Sequence, residues 1–366
     1  MRLISAVLAL ALPASGAAAA EVIDIDVAEA HGCALYDDGA VWCWGDFPGT
    51  ELELPFSAWP VDGLPAAKTI ATGRFGACAV DHGGDLWCWG FDLQRSLRND
   101  DFTMTLEPFR IDGLPRVKAV DLGFVHYCAI SIAGEVWCWG DNPCGELGCG
   151  DREPRVDPTR VLYVLGARAV SAGVNNTCVV LWSGQLSCWG SDNPTMVGKP
   201  FIYESSEPLL FDMDAAGPFR TVSNGRNFAC GILTSGEVTC FGSNIMGQIG
   251  TEEPRLGEGW SGIGEVDGIT KAEDLDTSYF NACAVQGGKV ICWGAPLFTP
   301  VEVGEMAQLP KEVPGIEGAT RVALGPVFGC AVTGGRVMCW GTAELFGSPL
   351  IKGMTPNQAA PVPGLP

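Results

Sequence analysis

The sequence predicts an all-β chain: a seven-bladed β-propeller of four-stranded blades, its ring closed by the C-terminal strand joining the first blade. Three observations predict it. Cysteine pairs recur with a period near 50 residues, each pair encloses a glycine-containing turn, and an apolar strand stands at a fixed distance before each pair.

The cysteines set the period. Of 16 cysteines, fourteen fall into seven short pairs: Cys33 and Cys43, Cys78 and Cys88, Cys128 and Cys138, Cys178 and Cys188, Cys230 and Cys240, Cys283 and Cys292, Cys330 and Cys339. Their first members are 45, 50, 50, 52, 53 and 47 residues apart. Length alone would suggest two or three domains, but a period of this size marks a single repeat architecture.

Each pair reads as a hairpin, with apolar residues alternating on both sides of a turn. Five pairs are C-x9-C. Facing cysteines then need a three-residue loop ending in a left-handed residue, and Gly39, Gly84, Gly134, Gly184 and Gly236 stand there. Two pairs are C-x8-C. Facing cysteines then need a two-residue loop with positive φ at both positions, and the loops are Gly287-Gly288 and Gly334-Gly335. Spacing and turn chemistry change together, so disulfides are expected in all seven. Pairs nine residues apart without C-x2-C spacing or His partners argue against zinc.

The remaining strands follow. Eight residues before each first cysteine stands Ile25, Ile70, Val120, Val170, Val222, Leu275 or Val322. Further upstream a V-x-G-L pattern recurs at Pro60–Leu64, Arg110–Leu114, Glu265–Ile269 and Glu312–Ile316. The first copy lacks that segment, whereas the chain finishes on Pro361-Val-Pro-Gly-Leu365. This orphan is expected to complete the first blade beside residues 22–27, which would remove open sheet edges.

Residues 1–20 read as a signal peptide: Arg2, an apolar run from Leu3 to Leu12 too short to span a bilayer, then Ala18-Ala19-Ala20. Residues 21–366 are expected to form one domain, exported as a soluble monomer to a secreted, periplasmic or cell-surface location. Net charge is −21. That balance repels phosphate backbones and anionic headgroups, which argues against nucleic-acid binding. No cofactor and no membrane insertion are expected.

The repeat resembles the regulator of chromosome condensation repeat family. Val120-Asp-Leu-Gly123, His126, Ala129-Ile130, Gly134, Val136, Trp139-Gly140, Asn142 and Gly145-Glu-Leu-Gly148 carry the likeness, and Asn244–Gly250 repeats its tail. The resemblance covers residues ~22–366 and implies a seven-bladed propeller. The family spans a nuclear nucleotide-exchange factor, a plant ultraviolet photoreceptor and a secreted β-lactamase inhibitor, so it leaves function open. An exported, acidic, disulfide-stapled chain departs from the nuclear type, which argues against guanine-nucleotide exchange and chromatin binding.

No catalytic motif is present. His31 and His126 share one repeat position and read as structural, and His82 lies in a hairpin turn. The acidic pairs Asp24/Asp26 and Asp274/Asp276 match no calcium loop and read as a solvated strand edge. Cys144 and Cys149 read as an eighth, local disulfide. The variable segments are 46–59, 91–108, 141–158, 191–210, 243–263, 295–311 and 342–360. In a repeat ring these collect on one face. They carry Phe47, Phe56, Trp59, Phe91, Phe102, Tyr203, Trp260 and Phe298 among many acids, a composition that suits a protein partner. A non-enzymatic interaction module is the first expectation. A passive surface repeat protein and a polysaccharide-active propeller are the alternatives, the last requiring two carboxylates facing the central channel.

Overall fold

The computed structural model describes residues 20–46, 58–91, 104–191, 205–211, 217–252, 255–256, 261–295, 308–341, 344–345, 348–349 and 359–366. Seven antiparallel sheets form the blades, and no helix is present among these residues. The first blade runs Val22–Val27, His31–Tyr36, Val41–Gly45 and Trp59–Pro60 from the inner strand outward. The third runs Val117–Leu122, His126–Ser131, Val136–Gly140 and Arg155–Arg160. The seventh runs Ala319–Leu324, Phe328–Thr333, Arg336–Gly341 and Ala360–Pro361. The fifth carries an extra short strand, Arg255–Leu256, at its outer edge.

The hairpins take the geometry their spacing requires. In the C-x9-C blades the glycine closing each loop is left-handed, at φ +83° in Gly134 for example. In the C-x8-C blades both loop glycines are, at +58° and +76° in Gly287 and Gly288. All seven expected pairs are in register and bonded. The bridges of the C-x9-C blades join Cys33 to Cys43, Cys78 to Cys88, Cys128 to Cys138, Cys178 to Cys188 and Cys230 to Cys240. Those of the C-x8-C blades join Cys283 to Cys292 and Cys330 to Cys339. Their Cα atoms lie 4.0–4.2 Å apart. These are the non-hydrogen-bonded sites of the ladder, where strands approach most closely.

Seven buried clusters lie between blades rather than within them. The cluster of Cys78, Val80, Leu86 and Cys88 from the second blade, for instance, includes Val120, Tyr127 and Trp139 from the third. One large aromatic ring anchors each: Trp44, Trp89, Trp139, Trp189, Phe241, Trp293 or Trp340. All seven are almost fully buried. The motif tail explains why some of these indoles are satisfied. Asn142 Oδ1 accepts from Leu147 N at 3.0 Å and winds the loop so that the Glu146 carbonyl receives Trp189 Nε1–H of the next blade at 2.7 Å. Asn244, Ile249, Gln248 and Trp293 repeat the arrangement.

The structure corrects two expectations. The C-terminal strand does not join the first blade. Ala360 pairs with Cys339 and Pro361 with Met338, so it completes the seventh. The reason is that V-x-G-L is not an entering strand. It is the turn by which the chain leaves an outer strand, as where Val61 N bonds Val41 O just after Pro60 pairs with Trp42. Each blade is therefore a continuous piece of chain. The ring closes by packing, with Val22, Ile25 and Val27 in one cluster with Phe328, Val332, Val337 and Val362. Val22 N–Gly335 O at 3.1 Å and Ala58 N–Pro363 O at 3.2 Å bond the two end blades.

The eighth disulfide, between Cys144 and Cys149, does not form either. Glu146 Oε2 holds Cys144 N at 2.8 Å, Asn142 holds Leu147 N, and the Cys149 Sγ turns onto the Leu147 carbonyl at 3.5 Å. The winding of this loop sets the two thiol directions before a bond between them can.

Candidate functional site

Strand register decides which loops share a face. His31 pairs with Gly45, so the chain leaves the third strand beside the turn joining the first two. The bond Asp46 N–Ala30 O at 2.8 Å fixes that exit, and Phe91–Phe75, Asp141–Val125, Ser191–Asn175, Ser243–Asn227 and Ala295–Phe280 repeat it. The Gly of each W-G pair permits this approach: a Cβ on Gly45 would sit 2.3 Å from the Ala30 carbonyl oxygen. Every variable segment with such a described exit therefore departs from the face that carries the first-to-second strand turns.

At the ring axis the inner strands surround a cavity of about 130 Å³. One repeat position, just after the apolar Ile25 or its equivalent, faces it and stitches neighbouring blades. Asp26 Oδ2 accepts from Thr72 N at 2.6 Å, Asp121 from Ala172 N at 2.7 Å and Asp276 from Leu324 N at 2.7 Å. Ser171 Oγ accepts from Asn224 N at 2.9 Å and Ser223 Oγ from Thr277 N at 3.0 Å. Each acceptor satisfies an N–H on the exposed edge of the next inner strand. Ala71 and Ala323 hold the position in the second and seventh blades, so the seams they would stitch have no such acceptor.

The acidic pairs are thus not a solvated strand edge. Burial pushes Asp121 up to about 6 and Asp276 to about 7. Asp26 lies well above the ordinary carboxylate range, through burial first and then the charges of Asp276 and Asp121. Asp24, whose side chain is 35% exposed, is raised by partial burial against the opposing charge of Arg321, whose Nε lies 3.4 Å from it. Three inward carboxylates meet the condition set for an enzyme, yet each already serves a neighbouring backbone. Among the described residues no group of three His, Cys, Asp or Glu side chains is placed to hold a metal ion. His31 and His126 are buried, and burial lowers them to about 4 and about 3. His126 Nε2 lies 2.8 Å from Thr177 Oγ1, a structural contact between blades.

Above the cavity the first-to-second strand turns form a rim. The Arg74 guanidinium lies 3.9 Å over the Phe124 ring and 4.9 Å over Phe75. Its Nε is 3.4 Å from Glu29, which also accepts the Tyr279 hydroxyl from across the ring. Tyr279 meets Phe280 edge-on at 6.5 Å, and Arg226 lies 6.0 Å over Phe280.

Of the aromatic residues expected to bind, two are described. Phe91 joins this rim, edge-on to Phe75 at 5.9 Å. Trp59 does not; it lies opposite Cys43 and packs on the cluster of Val61, Ile70 and Trp89, covering a blade edge. Phe47, Phe56, Phe102, Tyr203, Trp260 and Phe298 lie outside the described residues. Sequence reasoning missed the rim because it looked only at the long segments. The signal was the basic and aromatic residues following the inner strands: Arg74-Phe75, Phe124, Arg226 and Tyr279-Phe280.

Comparisons with known proteins agree with this architecture. Family models of the regulator of chromosome condensation (RCC1) repeat match residues 117–146 and 219–248, and 133–180. Prp20p of Saccharomyces cerevisiae is similar in structure, with a TM-score of 0.72 and 17% identity over 85% of this chain and 82% of that one. Human WBSCR16 has a TM-score of 0.68 and 18% identity over 83% and 85%. The ectodomain of the Arabidopsis thaliana receptor kinase ACR4 has a TM-score of 0.53 and 18% identity over 89% and 99%. No curated protein matches the sequence.

Proposed function

We propose that this chain, a seven-bladed propeller carrying RCC1 repeats, is an exported, non-enzymatic module that binds a protein partner through its insertion face. The observation that carries the reading is the rim. Arg74, Phe124 and Tyr279 line the channel mouth, with Phe75, Phe91 and Phe280 packed beside them, on the face from which the variable segments leave. Aromatic and Arg side chains are the usual anchors of protein interfaces. Prp20p is described by its binding to Gsp1p and histones, which supports a binding role for the fold. Seven disulfides suit an oxidising compartment, and the ACR4 comparison supplies an ectodomain of similar fold.

A second reading rests on the inward carboxylates Asp26, Asp121 and Asp276, as in a polysaccharide-active enzyme. Their engagement with Thr72, Ala172 and Leu324 backbone groups supports a structural task instead. One experiment separates the two. The mature chain is cross-linked in native extracellular fluid beside a Phe75→Ser, Phe124→Ser variant of matched melting temperature and a Trp59→Ser control. The binding reading expects a protein captured by parent and control and lost by the rim variant. Equal capture by all three overturns it. Release of reducing ends from polysaccharide, lost in Asp121→Asn, would favour the enzyme.

A further inference from the structure

The face opposite the insertions is made of hairpin turns and V-x-G-L turns, and one repeat there departs from the others. In the first, second and fifth blades the second turn reads Asp62-Gly63-Leu64-Pro65, Asp112-Gly113-Leu114-Pro115 and Asp267-Gly268-Ile269-Thr270. Its glycine sits at φ +77° to +85°. In the third blade the turn reads Leu162-Tyr163-Val164-Leu165. Tyr163 takes the glycine conformation, at φ +57°, and among the described residues no other non-glycine has positive φ. Such a backbone is unfavourable for an L side chain. Tyr163 is 82% exposed, so intramolecular packing does not offset that cost.

The neighbouring hairpin positions change in the same sense. Asp37, His82 and Thr234 open the hairpin loops of the first, second and fifth blades, whereas Ile132 and Trp182 open those of the third and fourth. Ile132, Leu165 and Trp182 are each 65–67% exposed. Tyr163 and Leu165 precede Gly166 in the turn, Trp182 lies against it, and the hairpin that Ile132 opens abuts it through Gly134. A Cβ on Gly166 would meet the Trp182 ring at 3.4 Å, a Cβ on Gly134 would lie 3.0 Å from the Gly166 Cα, and the Gly166 carbonyl receives Trp182 N–H at 2.8 Å. They account for half of the eight large apolar side chains exposed on the described surface, and clustering of this kind marks an interaction site.

Three basic residues lie on this face beside the cluster, Arg116 with its Cβ and Cγ toward Gly84 of the second blade. The Arg116 carbonyl receives the Ile132 N–H, Lys118 Nζ reaches the Ala167 carbonyl at 3.1 Å, and Arg168 Nη2 donates to the Phe219 carbonyl. Each side-chain bond named here is to a neutral carbonyl, so the positive charge stays unneutralised by these contacts. On a chain of net charge −21 these three basic residues stand beside one apolar cluster, where the nearby Glu135 is paired with Arg160 at 3.1 Å.

We propose that the Tyr163–Trp182 cluster is a second docking surface, independent of the insertion face, whose occupant is an acidic peptide segment of a partner protein. An aliphatic or aromatic anchor would cover Tyr163, Leu165 and Trp182 while flanking carboxylates meet Arg116, Lys118 and Arg168. Local charge complementarity selects this occupant: the acidic surface elsewhere repels a carboxylate-rich segment, and these basic residues confine its docking to this face.

The test uses a fluorescein-labelled peptide with a Trp-Leu centre flanked by Glu on both sides, read by anisotropy against the full mature chain. A peptide with Lys in place of Glu and a heparin octasaccharide serve as comparisons. The acidic peptide is expected to bind in a salt-sensitive manner, and the Lys peptide is not. Trp182→Ser and Arg116→Glu are expected to weaken binding about tenfold or more, as loss of an interface anchor does. Tyr163→Gly is expected to weaken binding while raising the melting temperature, which a residue kept only for folding would not do. Equal binding by parent and variants overturns the proposal. So does a preference for heparin, or a concentration-dependent dimer abolished by Trp182→Ser, which would assign the surface to a second copy.

Discussion

Asp276 is the sharpest place to test the electrostatics of the channel. Its Oδ2 accepts from Leu324 N at 2.7 Å and its Oδ1 from the Ser223 hydroxyl at 2.9 Å, so an Asp276→Asn substitution removes the charge, keeps one oxygen acceptor for Leu324 N and turns an N–H donor toward the Ser223 oxygen. Burial raises the folded carboxyl to about 7, against 3.8 ordinarily. The folded chain therefore holds this proton more tightly than the unfolded chain. Its contribution to stability is fully present below pH ~4 and is lost progressively as pH rises from there through ~7. About three pKa units at 1.36 kcal/mol each give an upper bound of roughly 4 kcal/mol lost by pH 8. The acceptor that Asn lacks at the Ser223 side costs about 1 kcal/mol at every pH, which is set against that gain. Asp276→Asn is thus expected to exceed the parent by roughly 2–3 kcal/mol at pH 8 and to match or fall below it at pH 4. Urea unfolding with disulfides intact, at pH 4, 6 and 8, reads the difference. His31 and His126 act in the opposite sense, so the gap between variant and parent is the decisive quantity. An Asn variant less stable by the same amount at every pH would refute the reasoning and make the carboxylate charge favourable.

Other expectations follow from the same geometry. Opening one hairpin bridge, as in Cys128→Ala with Cys138→Ala, frees an eleven-residue loop in the unfolded chain and should cost about 3 kcal/mol in urea. Gly184→Ala would place a Cβ 2.4 Å from Pro218 Cβ at φ +86° and should cost about 2 kcal/mol or more, read as a lower unfolding midpoint. The ring protons of His126, whose imidazole burial holds neutral to about 3, should show no titration by NMR between pH 5 and 8. A midpoint near 6.5 would mean that the ring is solvated.

Sequence carried the blade and lost the ring. Local chemistry sufficed for the hairpins, because Gly39 or Gly287-Gly288 dictates a loop length and the loop length dictates which cysteines face. The bridges of Cys188, Cys240 and Cys292 to their partners were legible for that reason alone. Local chemistry did not suffice for ring closure, because Pro361–Leu365 carries the same letters whether it enters a blade or leaves one. Only the pairing of Ala360 with Cys339 distinguishes the two. The channel carboxylates were visible as alternating Asp24 and Asp26, but alternation does not say whether the polar side meets water or six other strands. The rim was harder still. Arg74, Phe124 and Tyr279 belong to three different blades, and their convergence depends on ring curvature that no single repeat records.

Because each blade is one continuous stretch of chain, no blade depends on a strand delivered from the far terminus. Cutting the chain between two blades and joining residue 21 to residue 366 would leave each described blade sheet and its disulfide whole. Gene-level duplication or loss of a unit would likewise carry its own covalent staple with it. The fold is in this sense a string of self-contained parts, and the number of blades becomes a matter of how many parts fill the circle.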